Sequence, residues 1–481
     1  MGNRAAAVQM YNAGAETIRN PFKDYLQHSY KCFASACFAD PTWSTAFYQA
    51  GNNGTDLEPK DRHLHSTVAL YRRALQCEQS ADEKARTLSN LGWQLRDLGR
   101  TQEALVAAEE STRLCPELCV PWTNLSLVYR DLNRTADAVR AARKGFELSE
   151  NDANAEIAFA FALLYDRQFA LGLKHFERRF DWALKAYQNM PYPRWDGEPN
   201  KVVCLMADQG LGDTLSFARF LRRACETSSY VHACVQQELL RLFQYVFADV
   251  KNLNILPGVG VNRPFPAADV WTTFVSLPHV LGFDDDAFRR APHFGYPVAL
   301  ASSSNWKVQD RVLHVGIAWA GSPLNGIDRH RNIPVEQFYD LYRVPGVQLY
   351  AVQVGARQED LAATGGLPLV LDLAPYIADV VDTISLVRQL DLVITCESAL
   401  GHICALADTE CWIPYSWLGK DYRIGIDGSD TIWAPKHRIF LQGASRNWQP
   451  AFDQMAAVLE ERIAGISSGD SKRRHAGLTV A

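Results

Sequence analysis

The feature that most constrains this chain is a 34-residue register. The segment Leu88-Ser89-Asn90-Leu91-Gly92-Trp93-Gln94-Leu95 aligns with Trp122-Thr123-Asn124-Leu125-Ser126-Leu127-Val128-Tyr129. The offset holds onward, pairing Leu98 with Leu132, Ala104 with Ala138, Ala108 with Ala142 and Leu114 with Leu148. A further step takes Leu125 to Phe159, Val139 to Leu173 and Ala142 to Phe176. A helical pattern at this period implies stacked helix pairs. No pair can bury its apolar face alone, so neighbours stack and leave a concave surface suited to a peptide or protein. A looser unit lies upstream, from Trp43–Phe47 to Tyr71–Leu75, and Gly51-Asn52-Asn53-Gly54-Thr55 reads as an insertion between its helices. The array is expected to span residues 1–190 and to end at the turn-prone connector Pro191–Gly197.

Beyond the connector the pattern changes. The apolar run Lys201–Ala207 ends in Asp208-Gln209-Gly210-Leu211-Gly212-Asp213-Thr214, and a helical pattern follows through Phe217, Phe220 and Leu221. That order is strand, tight turn, helix. Tyr230–Val235, Asn254–Leu256 and Ala268–Thr272 read as further strands, with a helix from Leu239 to Phe247. A second strand-turn-helix starts at Leu313–Trp319, and Val347–Val352 and Asp391–Thr395 are strands, the last followed by Cys396–His402 at a helix start. Short apolar strands alternating with helices predict parallel sheets. Two α/β lobes are expected, at 191–290 and 291–465, joined by an irregular crossing through Asp284–Asp310 that holds Pro297 and Ser302–Ser304. The polar tail 466–481 is expected to be disordered. The fold class is thus α + α/β. Ligands of such sheets sit beyond the carboxyl ends of the strands, so the turns at 208–214, 319–323 and 395–402 are expected to line a cleft.

Composition narrows the function classes. Net charge is −5, which argues against a nucleic-acid footprint. There is no apolar run of about 18 residues, so no membrane insertion is expected, and the N-terminus does not read as a secretory signal. The 11 cysteines include no Cys-x-x-Cys and are expected to be reduced, buried thiols of a cytoplasmic protein. Asp284-Asp285-Asp286 lies in the crossing rather than at a strand end and reads as solvated charge, so no metal is expected. Leu215 replaces the third glycine of a dinucleotide fingerprint, which excludes NAD.

The helical register resembles the tetratricopeptide repeat. Further on, Pro193-Arg194-Trp195-Asp196-Gly197-Glu198-Pro199 with Gln209–Arg219, Val315–Pro323, Arg329–Pro334, Ser398-Ala399-Leu400-Gly401-His402, and Tyr422-Arg423 with Ile432-Trp433-Ala434-Pro435 resemble the glycosyltransferase-like domain of bacterial tetratricopeptide-repeat proteins. That half is similar to the heptosyltransferases, and the whole arrangement is similar to O-GlcNAc transferase. The resemblance covers about residues 40–460. It implies a helical solenoid followed by a GT-B pair of Rossmann-like domains. The first lobe would serve the acceptor and the second the nucleotide sugar. The implied reaction is inverting and metal-independent, with UDP-sugar favoured over ADP-sugar and a protein acceptor held by the repeats. The sequence departs from the family at Glu397, where Asp is usual, and at Asp408-Thr409-Glu410, which replaces a Gly-Lys/Arg-Pro turn. These departures keep open a non-catalytic scaffold, and a glycan or lipid acceptor is a second alternative.

For the site, the resemblance makes Asp213 the base, although an aspartate there also stabilises its own helix start, and a helix N-terminus lowers its pKa. Gly210 and Gly212 either let the acceptor approach the backbone or merely serve the tight turn. Trp319 and Gly321 belong to the donor-side turn. Ser398, Ala399 and His402 open a helix whose amides would meet the diphosphate, or are an ordinary capped helix start. Arg331 suits a diphosphate through its planar fork, or belongs to a solvated loop with Arg329. Arg423, in a polar cluster with Lys420, Asp421 and Tyr422, either reaches the sugar or phosphate or is likewise solvated.

Overall fold

A computed structural model describes residues 3–19, 24–57, 63–182, 187, 190–258, 264–292, 312–323, 328–355, 357–418, 421–425, 428, 431–443 and 446–467. Most of the interlobe crossing, including Pro297 and Ser302–Ser304, lies outside these residues, as do Lys420, the Arg329 side chain and the tail from 468. The chain divides into two compact units, Met1–Asp166 and Arg167–Ala481. The sequence pattern placed the end of the helical region at 190, so the boundary falls inside the third repeat.

The first unit is helical throughout: α1 (Arg4–Arg19), α2 (Tyr25–Ala39), α3 (Ser44–Asp56), α4 (Leu64–Gln76), α5 (Ala81–Asp97), α6 (Thr101–Leu114), α7 (Cys119–Asp131), α8 (Thr135–Leu148) and α9 (Ala153–Tyr165). The 34-residue register reappears in the helix boundaries. Helices end at Asp97, Asp131 and Tyr165, and the next begin at Thr101, Thr135 and Phe169. The turns between them place Gly99, Asn133 and Arg167 at positive φ in the same register. Glycine and asparagine take that conformation readily, while arginine does so at a cost of about 1–2 kcal/mol. Ser80 and Glu83 form a reciprocal capping box that starts α5, with Glu83 N–H to Ser80 Oγ at 3.2 Å and Ser80 N–H to Glu83 Oε2 at 2.9 Å. Leu91, Leu95, Ala104, Ala108, Leu125 and Val128 share one core, and Ala138, Ala142 and Phe159 share the next. The unit is a tetratricopeptide-like array.

The expected insertion at Gly51–Thr55 is instead the C-terminal half of α3. The glycines there admit a neighbour rather than break the helix. A Cβ on Gly51 would lie 2.6 Å from Tyr71 Cε1. The Tyr71 hydroxyl donates to Asn52 Oδ1 at 2.8 Å, and Asn90 Nδ2 donates to the same oxygen at 2.9 Å.

The second unit begins with α10 (Phe169–Phe176) and α11 (Arg179–Trp182). Its first lobe holds β1 (Val202–Met206), α12 (Leu211–Phe217), α13 (Leu221–Thr227), β2 (Tyr230–Val235), α14 (Leu240–Val246), β3 (Leu253–Pro257), β4 (Val270–Thr273), α15 (Leu277–Val280) and α16 (Asp285–Arg289). Its four strands are parallel, in the order β3-β2-β1-β4. The second lobe holds β5 (Leu313–Ala318), α17 (Asp328–Arg331), α18 (Val335–Tyr339), β6 (Val347–Ala351), α19 (Asp360–Ala363), β7 (Val370–Asp372), α20 (Val380–Val387), β8 (Leu392–Thr395), α21 (Ala399–Ala407), β9 (Cys411–Tyr415), β10 (His437–Leu441) and α22 (Gln449–Ser467). Its order is β10-β9-β8-β5-β6-β7, all parallel. The helix α22 therefore carries the lobe two residues past the expected end at 465.

In both lobes the first strand lies between the second and the fourth, so the order reverses there. That switch point is where open α/β sheets bind ligands. It falls between β1 and β4 in one lobe and between β5 and β8 in the other. Every residue of β5 and β8 is buried, as a sheet covered on both faces requires. Trp319, Phe338, Trp412 and Phe452 anchor the core of this lobe. Pro414 is tolerated in β9 because β8 pairs only with Cys411 and Trp412 on that side.

Candidate functional site

The switch point of the four-stranded lobe is filled by the chain itself. Arg179, 2% exposed, reaches from α11 across the ends of β1 and β4. Its Nε and Nη2 donate to Asp208 Oδ2 at 3.0 and 2.9 Å, and Nη2 also donates to Thr273 Oγ1 at 2.9 Å and Ser276 Oγ at 2.7 Å. Nη1 donates to Glu177 Oε1 at 2.7 Å. The Tyr187 ring stacks on Trp271, and its hydroxyl donates to Ala207 O at 3.0 Å. Arg194 pairs with the other Glu177 oxygen, so a network of two guanidiniums and two carboxyls closes this crevice. Asp208 and Arg179 carried no role in the sequence reading. Their pairing spans β1 and a helix outside the sheet, with no periodic signal to mark it.

The other switch point faces a seam between the lobes. Here α12 packs its first turn against the first turn of α21. A Cβ on Gly212 would lie 2.6 Å from His402 Cδ2 and 3.3 Å from Ala399 Cα. Gly212 is therefore needed for helix–helix approach. In this arrangement α21, rather than an acceptor, occupies the space in front of it. Gly210 is the N-cap of α12 in an ordinary extended conformation. Its N–H donates to Asp213 Oδ2 at 3.1 Å.

Asp213 and Arg423, assigned from the sequence to opposite sides of a cleft, meet directly, with Arg423 Nη2 at 3.0 Å from Asp213 Oδ1. Arg423 Nε also donates to both Asp421 oxygens at 2.9 Å. Glu397 lies beside them, its Oε1 3.9 Å from Arg331 Nη1. Charges thus alternate along the seam. Burial pushes the Asp213 carboxyl up despite Arg423, reversing the lowering expected from its helix start. Burial likewise pushes Glu397 up to about 8, and the nearby Asp421 and Asp213 add to it against Arg331 and Arg423. Glu397 Oε2 is buried without a hydrogen-bond partner among the described residues. Burial also raises Asp421, but Arg423 outweighs it and the net direction is down. The set is one acid, Glu397, that is neutral at pH 7, two further carboxyls and two guanidiniums.

His402 is half-buried in the seam, and its Nδ1 pairs with Ser216 Oγ at 2.9 Å. Burial first, and then repulsion by Arg423, hold its pKa down to about 3, so the imidazole is neutral. Ser398 is the N-cap of α21: its Oγ accepts from Leu400 N–H at 3.3 Å and pairs with Thr395 Oγ1 at 3.1 Å. Glu397, Ser398, His402, Asp421 and Arg423 line a cavity of about 40 Å³, together with Trp433.

The donor-side turn at 319–321 is built differently from the expectation. The Trp319 ring is 1% exposed, part of the lobe core, with Nε1 donating to Asp360 Oδ2 at 3.1 Å. The N–H groups of Trp319 and Ala320 both donate to Gln353 Oε1, at 3.0 and 2.9 Å, and that of Gly321 donates to Asn332 Oδ1 at 3.2 Å. Trp319 and Gly321 are thus engaged by the protein, not presented to a ligand. Arg331 is buried at the end of α17 rather than on a solvated loop. Asp284 caps α16 through Ala287 N–H at 2.7 Å, and Asp285 accepts from Ala170 N–H at 2.7 Å. The acidic triplet therefore organises helix starts. Glu397 and Asp421 entered the sequence reading only as a family departure and as a member of a polar cluster.

No family model and no curated protein matches the sequence. Solved structures similar in part are MamA from Desulfovibrio magneticus, PilF from Pseudomonas aeruginosa, and YrrB, described as a TPR protein with an unusual peptide-binding site. MamA is 14% identical with a TM-score of 0.31, covering 38% of this chain and 97% of its own. PilF is 20% identical at 0.31, covering 37% and 77%, and YrrB is 15% identical at 0.29, covering 36% and 85%. At such values the helical-repeat assignment rests on the spacing of this chain's own helix ends, and on that ground the N-terminal unit is a tetratricopeptide-like repeat array joined to a two-lobed parallel α/β unit.

Proposed function

We propose that the α/β unit is a GT-B glycosyltransferase. It moves a sugar from a nucleotide sugar, UDP-sugar favoured, to an acceptor, a protein held by the repeats, with inversion and without a metal. The observation that carries this reading is the cluster of Asp213, Arg423, Glu397 and Arg331 at the switch point of the six-stranded lobe, faced by the other lobe. In the step, the acceptor oxygen bonds to the anomeric carbon as the carbon–phosphate oxygen bond breaks. The electron pair leaves with the nucleoside diphosphate and the acceptor proton passes to Asp213. A base whose affinity for a proton is raised above the usual aspartate range suits that transfer. Arg331, Arg423 and the start of α21 supply positive charge to the leaving diphosphate. The α21 cap at Ser398 and the neutral His402 orient that helix start.

A nucleotide sugar needs a site of about 300 Å³ or more, while the seam cavity is about 40 Å³. Transfer therefore requires the lobes to part, breaking the Asp213–Arg423 and Ser216–His402 contacts. The same closed seam, with the turn amides at 319–321 already engaged, favours a second reading, a non-catalytic scaffold. Calorimetry against UDP, ADP and their sugar conjugates separates the two. Binding of one nucleotide sugar supports the transferase; no binding by any of them overturns it in favour of the scaffold.

A further inference from the structure

Adjoining the seam cavity, with Arg219, Ala405, Leu406, Trp433 and Ala434 common to both, lies a larger cavity of about 440 Å³, within the size range of small-molecule sites. Its walls carry Arg219, Arg289, Arg388 and Lys436. Its one carboxylate among the described lining residues is Asp408, which is held by Lys436 Nζ at 2.8 Å. Such a basic cavity stands out in a chain of net charge −5.

Arg219 is the informative residue. Its Nε donates to Ser216 O at 2.7 Å and its Nη1 to Ala291 O at 2.9 Å. Its guanidinium stacks 4.0 Å over the Trp433 ring. That ring is itself fixed by Nε1 donating to Phe288 O at 3.1 Å and by edge-on packing of Phe217. Among the described residues no carboxylate pairs with Arg219. Carbonyls and an aromatic face position a guanidinium without neutralising it, and burial with repulsion from Arg423 holds its pKa down to about 9. A charge kept in place at such a cost is one that an anion would relieve.

We propose that this cavity is a second ligand site, adjoining the transfer site, which takes a small phosphate-bearing molecule and shares Arg219 and the Trp433 ring with the seam. The two sites differ in chemistry. The seam mixes three carboxyls with its guanidiniums, whereas among the described lining residues of this cavity Asp408 is the one carboxylate beside four basic side chains. It lies at the C-terminal end of α21, where Lys436 also donates to Asp408 O at 3.0 Å, and not at the start of that helix.

The test is calorimetry of the full chain with inorganic pyrophosphate as the probe. Binding is expected, and it should weaken about tenfold in Arg388→Gln and in Lys436→Gln, the loss of one charge-assisted contact each. It should weaken at least as much in Arg219→Gln and be unchanged in Arg331→Gln. Arg388 is exposed and its replacement leaves the core intact, so the test survives if the Arg219 variant fails to fold. No binding to the unaltered chain overturns the proposal. So does binding lost in Arg331→Gln but kept in Arg388→Gln, which would put the anion in the seam. Pyrophosphate binding without any nucleotide-sugar binding would refute the transferase reading and leave this one standing.

Discussion

Replacing Glu397 with glutamine removes an ionisable group from a place that disfavours its charge. The unfolded chain gives up this proton near the ordinary value of 4.5, whereas the folded chain keeps it up to about 8. Between those values the unfolded state is increasingly favoured. The stability contributed by the neutral carboxyl is full below 4.5 and is lost as pH rises through about 8. At about 1.36 kcal/mol per pH unit the whole loss is about 5 kcal/mol, of which about 3 kcal/mol has been lost at about pH 7. Glutamine is nearly isosteric and stays neutral, so it escapes this loss, less whatever attraction to Arg331 at 3.9 Å is forfeited. The assay is thermal unfolding of the parent and Glu397→Gln from acid to mildly alkaline pH. The two should coincide in acid, and the variant should melt about 5–10 °C higher near neutrality. A variant that coincides with the parent in acid but becomes less stable than it as pH rises above about 4.5 would refute the reasoning. It would mean that Glu397 is ionised in the folded protein and paired with Arg331.

Three further outcomes are expected. Asp213→Asn should abolish sugar transfer while leaving donor affinity nearly unchanged by calorimetry, and unchanged turnover would remove Asp213 as base. Gly212→Val would put a Cβ 2.6 Å from His402 Cδ2 and further bulk beyond it. The His402 ring is held by Ser216, so the substitution should cost about 1–3 kcal/mol in thermal unfolding, as overpacking does. Arg179→Leu would leave Asp208 and Glu177 without their shared guanidinium and should cost about 3–5 kcal/mol; pairing it with Asp208→Asn should recover part of that loss in denaturant titration.

The helical array was legible because its information is local. Each hairpin buries a face made by residues a few positions apart, and the same face returns after 34 residues, so the register at Leu91, Leu125 and Phe159 predicts the core found there. The strands with long apolar runs, β1, β2, β5, β6 and β8, were legible for the same reason. The strands β7, β9 and β10 were not. The first is three residues long, the second contains Pro414, and the third alternates weakly. Gly51–Gly54 misled because glycine usually breaks a helix, and only the Tyr71 ring packed on Gly51 explains its place inside one.

The sequence by itself determined the period, the helix starts and the residues from which a site would be drawn: Asp213, Arg331, Ser398, His402 and Arg423. Tertiary structure alone decided how they combine. Ser216 and His402 are 186 positions apart yet share a hydrogen bond, and Asp213 meets Arg423 across the same seam. Contacts of that separation leave no periodic trace, because they arise only when the loops of two separate sheets meet in the folded unit. The neutral state of Glu397 is likewise a property of burial among charges supplied by both lobes, which no neighbouring residue in the chain foreshadows.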